Sequence, residues 1–168
     1  GGFKNPHPVS TMVLLPLIRD RTAVPIIAAG GICDGATMAA AFALGAEGVQ
    51  LGTAMLSCAD SPVHQNWKQA IYEGKETDTV FLNQQGRPAL RAMRTERTGE
   101  LELLGQFQPF EHMANILDLY FGGDLEAAIP LTGQVMGRIN ESRSAVEVVR
   151  STMDGFHACL EGLKASYS

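Results

Sequence analysis

The chain has 168 residues, 45% of them apolar, which suits one domain or part of one with a real core. A formal net charge of −5 speaks against a nucleic-acid surface, which needs clustered Lys and Arg. Cys33, Cys58 and Cys159 lack CxxC spacing, which fits reduced thiols in a cytoplasmic protein rather than a disulfide framework or zinc site. No apolar run has membrane-spanning length, and no signal peptide is expected.

In chain order, residues 10–21 read as a helix capped by Ser10 or Thr11. Met12, Leu15 and Ile18 form its apolar stripe, widened by Val13, Leu14 and Leu17. Residues 24–28, VPIIA, read as a strand buried on both faces. Gly30 and Gly31 break it, Asp34 is the expected N-cap of an alanine-rich helix over 35–44, and Gly45 is its C′ glycine. Residues 48–51 form a second strand, stopped by Gly52 and Thr53. Strand, helix and parallel strand make a βαβ unit.

Both strands end in glycine at the edge where parallel α/β folds bind ligands. Glycine N–H groups at such tips, with a following helix start, suit a phosphate. Tight turns alone explain one Gly-Gly pair; two glycine turns at matching strand ends, one followed by Thr53, favour phosphate binding. Strand alternation places Gln50 on the face opposite Val49 and Leu51.

Beyond a short helix and loop over 54–61, Pro62 is expected to open a helix reaching residue 72, with Val63, Trp67, Ala70 and Ile71 inward. His64 and Lys68 read as surface residues, and no metal-ligand set is formed. Residues 77–82 and 88–93 read as a hairpin around a turn at 83–86. Arg87, Arg91, Arg94 and Arg97 read as solvated or paired with nearby acids; the alternative is the phosphate of a nicotinamide cofactor or an acyl carrier. Residues 98–106 read as irregular. Residues 109–120 read as a helix with Phe110, Met113, Ile116, Leu117 and Tyr120 on its apolar stripe. Asp124 is expected to cap residues 125–129. A last helix over 142–163 is expected to turn Val146, Val149, Met153 and Phe156 inward.

Several stretches carry a resemblance: IIAAGGI at 26–32, AAAFALGAEGVQLGT at 39–53, STMVLLP at 10–16, GQVMGRI at 133–139, and the pair Gly1-Gly2. Together they resemble the nitronate monooxygenase family of flavin-dependent barrels, also called 2-nitropropane dioxygenases. FMN-dependent enoyl-acyl-carrier-protein reductases of the second type are close relatives. The resemblance implies an α/β fold: the C-terminal portion of a (β/α)8 TIM barrel, strands 7 and 8 with their helices, plus a small inserted subdomain and C-terminal helices. The implied segments are 1–61, barrel with the FMN phosphate site; 62–121, the inserted subdomain; and 122–168, helices returning to the barrel.

The same resemblance implies FMN held by Gly1, Gly2, Ala29, Gly30, Gly31, Gln50, Gly52 and Thr53, with Gln134 a further candidate near the flavin. The family's proposed catalytic base is a histidine after a Gly-Gly pair. Phe3 fills that slot here, which leaves the catalytic residue unassigned and His7 as the stand-in candidate. The implied activity is FMN-dependent oxidation of a small-molecule nitronate with O2. The alternative is a reductase drawing hydride from NAD(P)H. Two other classes stay open: a barrel enzyme that binds a phosphorylated metabolite without flavin, and a non-catalytic fragment that pairs with its missing half. Strands 1 to 6 are expected in an N-terminal barrel half, from the same gene or a separate chain. A homodimer is the further partner state, with no nucleic acid or membrane partner.

Overall fold

The computed structural model describes residues 3–5 and 7–167. The strands are β1 (Phe3–Lys4), β2 (Ile27–Ala29), β3 (Gly48–Gln50), β4 (Thr79–Leu82) and β5 (Ala89–Met93). The helices are α1 (Thr11–Arg19), α2 (Gly35–Ala43), α3 (Thr53–Leu56), α4 (Gln65–Glu73), α5 (Glu96–Leu103) and α6 (Ala145–Tyr167). Short 3-10 turns cover Pro109–Met113 and Gln134–Arg138, and a π-turn covers Asp118–Gly122.

β2 and β3 pair in parallel, with Ala28 opposite Val49 and Ala29 opposite Gln50. α2 crosses between them. The Asp34 carboxylate accepts the Thr37 N–H at 2.8 Å, and the Thr37 hydroxyl accepts the Asp34 N–H at 3.1 Å, a complete capping box. Gly45 closes the helix at φ +99°, a conformation that L side chains rarely adopt. Under the sheet lie Leu15, Ala28, Ile32, Met38, Ala41 and Ala46.

The expectation that β2 is buried on both faces fails. Ala28 is buried, but Ile27 is 69% exposed, because no layer among the described residues covers its side of the sheet. α1 fails in the same way. Leu15 is its buried side chain, while Met12, Val13, Leu14, Leu17 and Ile18 are exposed.

The second lobe is built on the β4–β5 hairpin, which places Thr79 opposite Met93; β1 adds antiparallel to β5. Asn83 makes the hairpin turn at φ +55°, and its amide donates to the Pro88 carbonyl at 2.8 Å. α4 buries Trp67 and Ile71 fully, as its spacing predicts, although it begins at Gln65, with His64 rather than Pro62 at its start. One cluster of buried side chains joins the lobes, running from Cys33 and Ala54 through Trp67 and Met93 to Leu119, Met136 and Val148.

Four further expectations are corrected. Lys68 is buried, not a surface residue, and its ammonium donates to the Ala59 and Ser61 carbonyls at 3.0 and 2.7 Å. Residues 96–103 form α5, not irregular chain, because the Thr95 hydroxyl accepts the Thr98 N–H and the Thr98 hydroxyl accepts the Thr95 N–H. The helix expected over 109–120 divides into a 3-10 turn and a π-turn, and this shift in phase buries Leu119 while Phe110 and Leu117 are exposed. Asp124 accepts the Glu126 N–H in a turn rather than opening a helix.

α6 packs on α2 with Val148 and Thr152 inward, so three of the four residues expected to face inward, Val146, Val149 and Met153, are exposed instead, while Phe156 packs against the core as expected. The reason is Gly35, which sits against the α6 backbone at Gly155 and Phe156 and fixes which face meets α2. Phe42 and Phe156 pack beside this crossing, ring centroids 5.2 Å apart. No helix among the described residues is long and apolar enough to cross a membrane.

Candidate functional site

At the C-terminal end of β2 the chain turns through Gly30 (φ +95°) and Gly31 (φ +81°). Left-handed backbone costs an L side chain about 1–2 kcal/mol, so glycine is the residue such a turn takes. A Cβ at Gly31 would meet nothing within 4 Å, nor would one at Gly52. Both positions therefore leave the backbone open to a ligand. The Thr11 hydroxyl fixes the start of the first turn by donating to the Gly30 carbonyl at 3.2 Å.

A cavity of about 580 Å³ opens over this turn. Gly30 and Gly31 form one side, the start of α1 (Ser10, Thr11) another, and the hairpin residues Phe81 and Arg91 a third. Gln134, Val135 and Arg138 enter from the 3-10 turn, and Glu76 from the loop after α4. The volume falls in the range that takes one drug-sized ligand.

Arg138 forms an ion pair with Asp34, the N-cap of α2. Burial opposes ionisation of Asp34, but the Thr37 N–H and hydroxyl and the Arg138 guanidinium outweigh it and lower its pKa. The hydrogen bond and charge of Asp34 raise the pKa of Arg138 in turn. Arg91 is anchored differently. One guanidinium nitrogen donates to the Thr79 hydroxyl at 2.9 Å, and its carbon lies 5.4 Å from the centre of the Phe81 ring. Burial lowers the Arg91 pKa, and the more distant Glu102 only partly offsets this.

Gly1 and Gly2 lie outside the described residues. The Phe3 backbone lies in β1 opposite Leu90. His7 is exposed, and its N–H donates to the Asn5 side chain at 3.4 Å; it does not line the cavity. Ala29 and Gln50 are cross-strand neighbours and both are exposed. They stand at the end of the open sheet, next to Gly30–Gly31 and Gly52, but do not line the cavity. Thr53 is buried, and its hydroxyl accepts the Gly133 N–H at 2.9 Å. Gln134 lines the cavity.

The four arginines do not form one cluster. Arg94 pairs with Glu102 at 3.0 Å and Arg97 donates to the Glu126 carbonyl, while Arg91 turns to the cavity. Phe81 and Glu76 carry no signal in the sequence, and Arg138 only as part of the GQVMGRI stretch, since the three come together only when the hairpin and the 3-10 turn fold over β2. Burial, then Asp34, raises the Cys33 pKa; burial, then Asp60, raises that of Cys58. Both shifts disfavour the thiolate, the reactive form. Among the described residues no three His, Cys, Asp or Glu side chains converge as a metal site.

Fold and site together define an α/β protein with a ligand-sized cavity over a glycine turn at its parallel strand tips. The family model described as nitronate monooxygenase matches residues 1–155, and the chain belongs to that family. A probable nitronate monooxygenase of Staphylococcus saprophyticus is 49% identical over 82 residues, 48% of this chain and 23% of that protein. One from Staphylococcus aureus strain Newman is 51% identical over 79 residues, 46% of this chain and 22% of the relative.

FabK from Thermotoga maritima superposes with a TM-score of 0.88 at 30% identity, over 98% of this chain and 54% of that one. Nitroalkane oxidase from Streptomyces ansochromogenes shares the fold, with a TM-score of 0.77 at 23% identity, over 92% of this chain and 46% of that one. The matched stretches thus span under a quarter of these curated relatives, and the chain spans about half of these two solved structures.

Proposed function

We propose that this chain is the C-terminal portion of a (β/α)8 barrel and carries the phosphate end of an FMN site in an oxidoreductase of nitronate monooxygenase type. The observation that carries this reading is the turn at Gly30 and Gly31, both at positive φ, which lines a cavity that also receives Arg91, Arg138 and Gln134. The residues fit the group. Open space beside Gly31, which lines the cavity, admits a phosphate to the backbone, and the volume suits one flavin mononucleotide; Gly52 also has open space but does not line this cavity. Gly1, Gly2, Ala29, Gln50 and Thr53 complete the proposed set.

Bound FMN would supply the redox chemistry of nitronate oxidation with O2. The chain's own contribution is to hold the phosphate, orient the ring system and exclude water. Exposed apolar side chains on α1, and Val146, Val149 and Met153 on α6, support an N-terminal barrel half as partner, because neither face is covered within the described residues.

A second reading, a reductase using NAD(P)H, is favoured by the fold likeness to FabK over nearly the whole chain. The test is direct. Protein co-expressed with an N-terminal half should be yellow, absorbing at roughly 450 nm as flavins do, and Gly31→Asp should abolish FMN uptake. A colourless protein that refuses added FMN would sink the flavin reading. Oxygen consumption on a nitronate, compared with flavin reduction by NADH, separates the two schemes.

A further inference from the structure

α6 has 23 residues, a length of about 35 Å as a helix, and α2 covers one side of it. Val148 and Thr152 are buried, Gly155 meets Gly35, and Phe156 leans on the Phe42 ring. The open side carries Val146, Val149, Met153, Leu160, Leu163 and Tyr167, each between 40% and 86% exposed. With Phe156 in its place, the stripe steps by three and four residues in strict alternation through three heptads. That period keeps one narrow seam turned to a partner helix along its whole length, whereas a helix laid on a core shows a broader face.

The stripe also outruns the body of the chain. Every residue from Leu160 to Tyr167 is exposed, so the last two turns stand clear while the apolar spacing continues through them. A helix end gains most of its stability from packing, so an apolar stripe carried that far calls for cover from outside. On the flank away from α2, Arg150, His157 and Lys164 recur at every seventh residue. A coiled-coil helix pairs with the charges of its neighbour from that position. All three are exposed, and no ion pair among the described residues engages Arg150 or Lys164. Glu147, Asp154 and Glu161 lie one row further round, so α6 has no net positive charge to draw it to an anionic lipid surface.

We propose that this stripe seats one amphipathic helix of the N-terminal barrel half. That helix has its own three-and-four apolar stripe and an Asp or Glu at every seventh position, facing Arg150, His157 and Lys164. The solved relative shows that there is chain to supply it: the match takes up 54% of FabK, and a segment of comparable size lies outside the match. The inference rests on the barrel-half reading and adds to it the element that docks, its spacing and its charge.

The test uses the two halves co-expressed as separate chains and purified as their complex. Hydrogen exchange in residues 160–167 should be at least tenfold slower in the complex than after its dissociation on dilution. Leu160→Gln with Leu163→Gln keeps good helix formers and changes only exposed side chains, and should raise the dissociation constant of the halves at least tenfold. Arg150→Gln with Lys164→Gln should raise it several-fold at low salt and by less at high salt, where exposed charges are screened.

Halves that stay together and take up FMN while exchange in residues 160–167 stays fast overturn this inference and leave the barrel-half reading standing. Halves that do not associate overturn both. An unchanged dissociation constant in the double Leu variant overturns the seam, and an unchanged salt dependence in Arg150→Gln with Lys164→Gln overturns the acidic helix. Slowed exchange that requires a second copy of this chain, as read by the mass in solution, or phosphatidylglycerol vesicles, gives the stripe to another occupant and also overturns the assignment.

Discussion

The Gly133 N–H donates to the Thr53 hydroxyl at 2.9 Å, joining residues 80 apart in the chain. Thr53 opens α3 directly after β3, and Gly133 opens the 3-10 turn that carries Gln134 and Arg138. This bond therefore ties the second strand tip to the turn that closes the cavity.

Thr53→Val keeps the shape and leaves the Gly133 N–H buried without a partner. A buried unsatisfied donor costs about 1–3 kcal/mol. Urea unfolding should show a loss of that order, and Thr53→Ser should restore most of it. Equal stability of the Val and Ser variants would mean that the bond contributes nothing.

Three glycine-to-alanine changes should separate conformation from crowding. Gly52→Ala has ordinary φ and open space, and should be near neutral. Gly31→Ala also has open space but sits at φ +81°, so its cost is the left-handed backbone alone, about 1–2 kcal/mol. Gly35→Ala drives a methyl into the α6 backbone at Gly155 and Phe156 and should cost most, about 3 kcal/mol or more as the helices part. A thermal melt series that does not rank Gly35 worst would contradict the α2–α6 contact.

The Asp34–Arg138 pair sets a pH dependence. Asp34 has a folded pKa below its unfolded value of about 3.9. Its stabilisation is therefore complete above that value and is lost as pH falls through the folded pKa. Asp34→Asn keeps a good N-cap but drops the charge. The stability gap between parent and Asp34→Asn should be full at pH 6 and shrink as the pH falls below the ordinary Asp value of about 3.9, as read by denaturant midpoints at each pH. A gap that widens in acid would reverse the sign and refute the argument.

Lys68 is a buried ammonium that holds two carbonyls, Ala59 and Ser61, and so fixes the loop between α3 and α4. Lys68→Met fills the same space without a donor. Hydrogen bonds to charged groups contribute about 1.5–3 kcal/mol. The variant should lose stability in that range, and hydrogen exchange should quicken in residues 57–63. Unchanged exchange there would show that the loop stands without the lysine.

Much of this protein is written in short-range pattern. Asp34 with Thr37, the positive-φ glycines 30, 31 and 45, and the pair of strands around α2 are all local hydrogen-bond or backbone preferences, and a sequence displays them directly. The β4–β5 hairpin and the buried stripe of Trp67 and Ile71 are legible for the same reason. The nitronate monooxygenase resemblance rests on part of this, the stretches 26–32 and 39–53, together with 10–16, 133–139 and Gly1-Gly2, and not on the hairpin.

Tertiary structure alone decided which apolar stripe faces inward. On α6, Val146, Val149 and Met153 have the right spacing for a core, yet Val148 and Thr152 are buried, because the close approach of Gly35 to Gly155 fixes the rotation of the helix. It also decided the site's charges. Arg91 and Arg138 lie in segments far apart in the chain, and only the packing of the hairpin and the 3-10 turn over β2 brings both to the cavity that holds Gly31. A pattern of residues fixes the local backbone; the direction in which a side chain finally points depends on what the rest of the fold places in front of it.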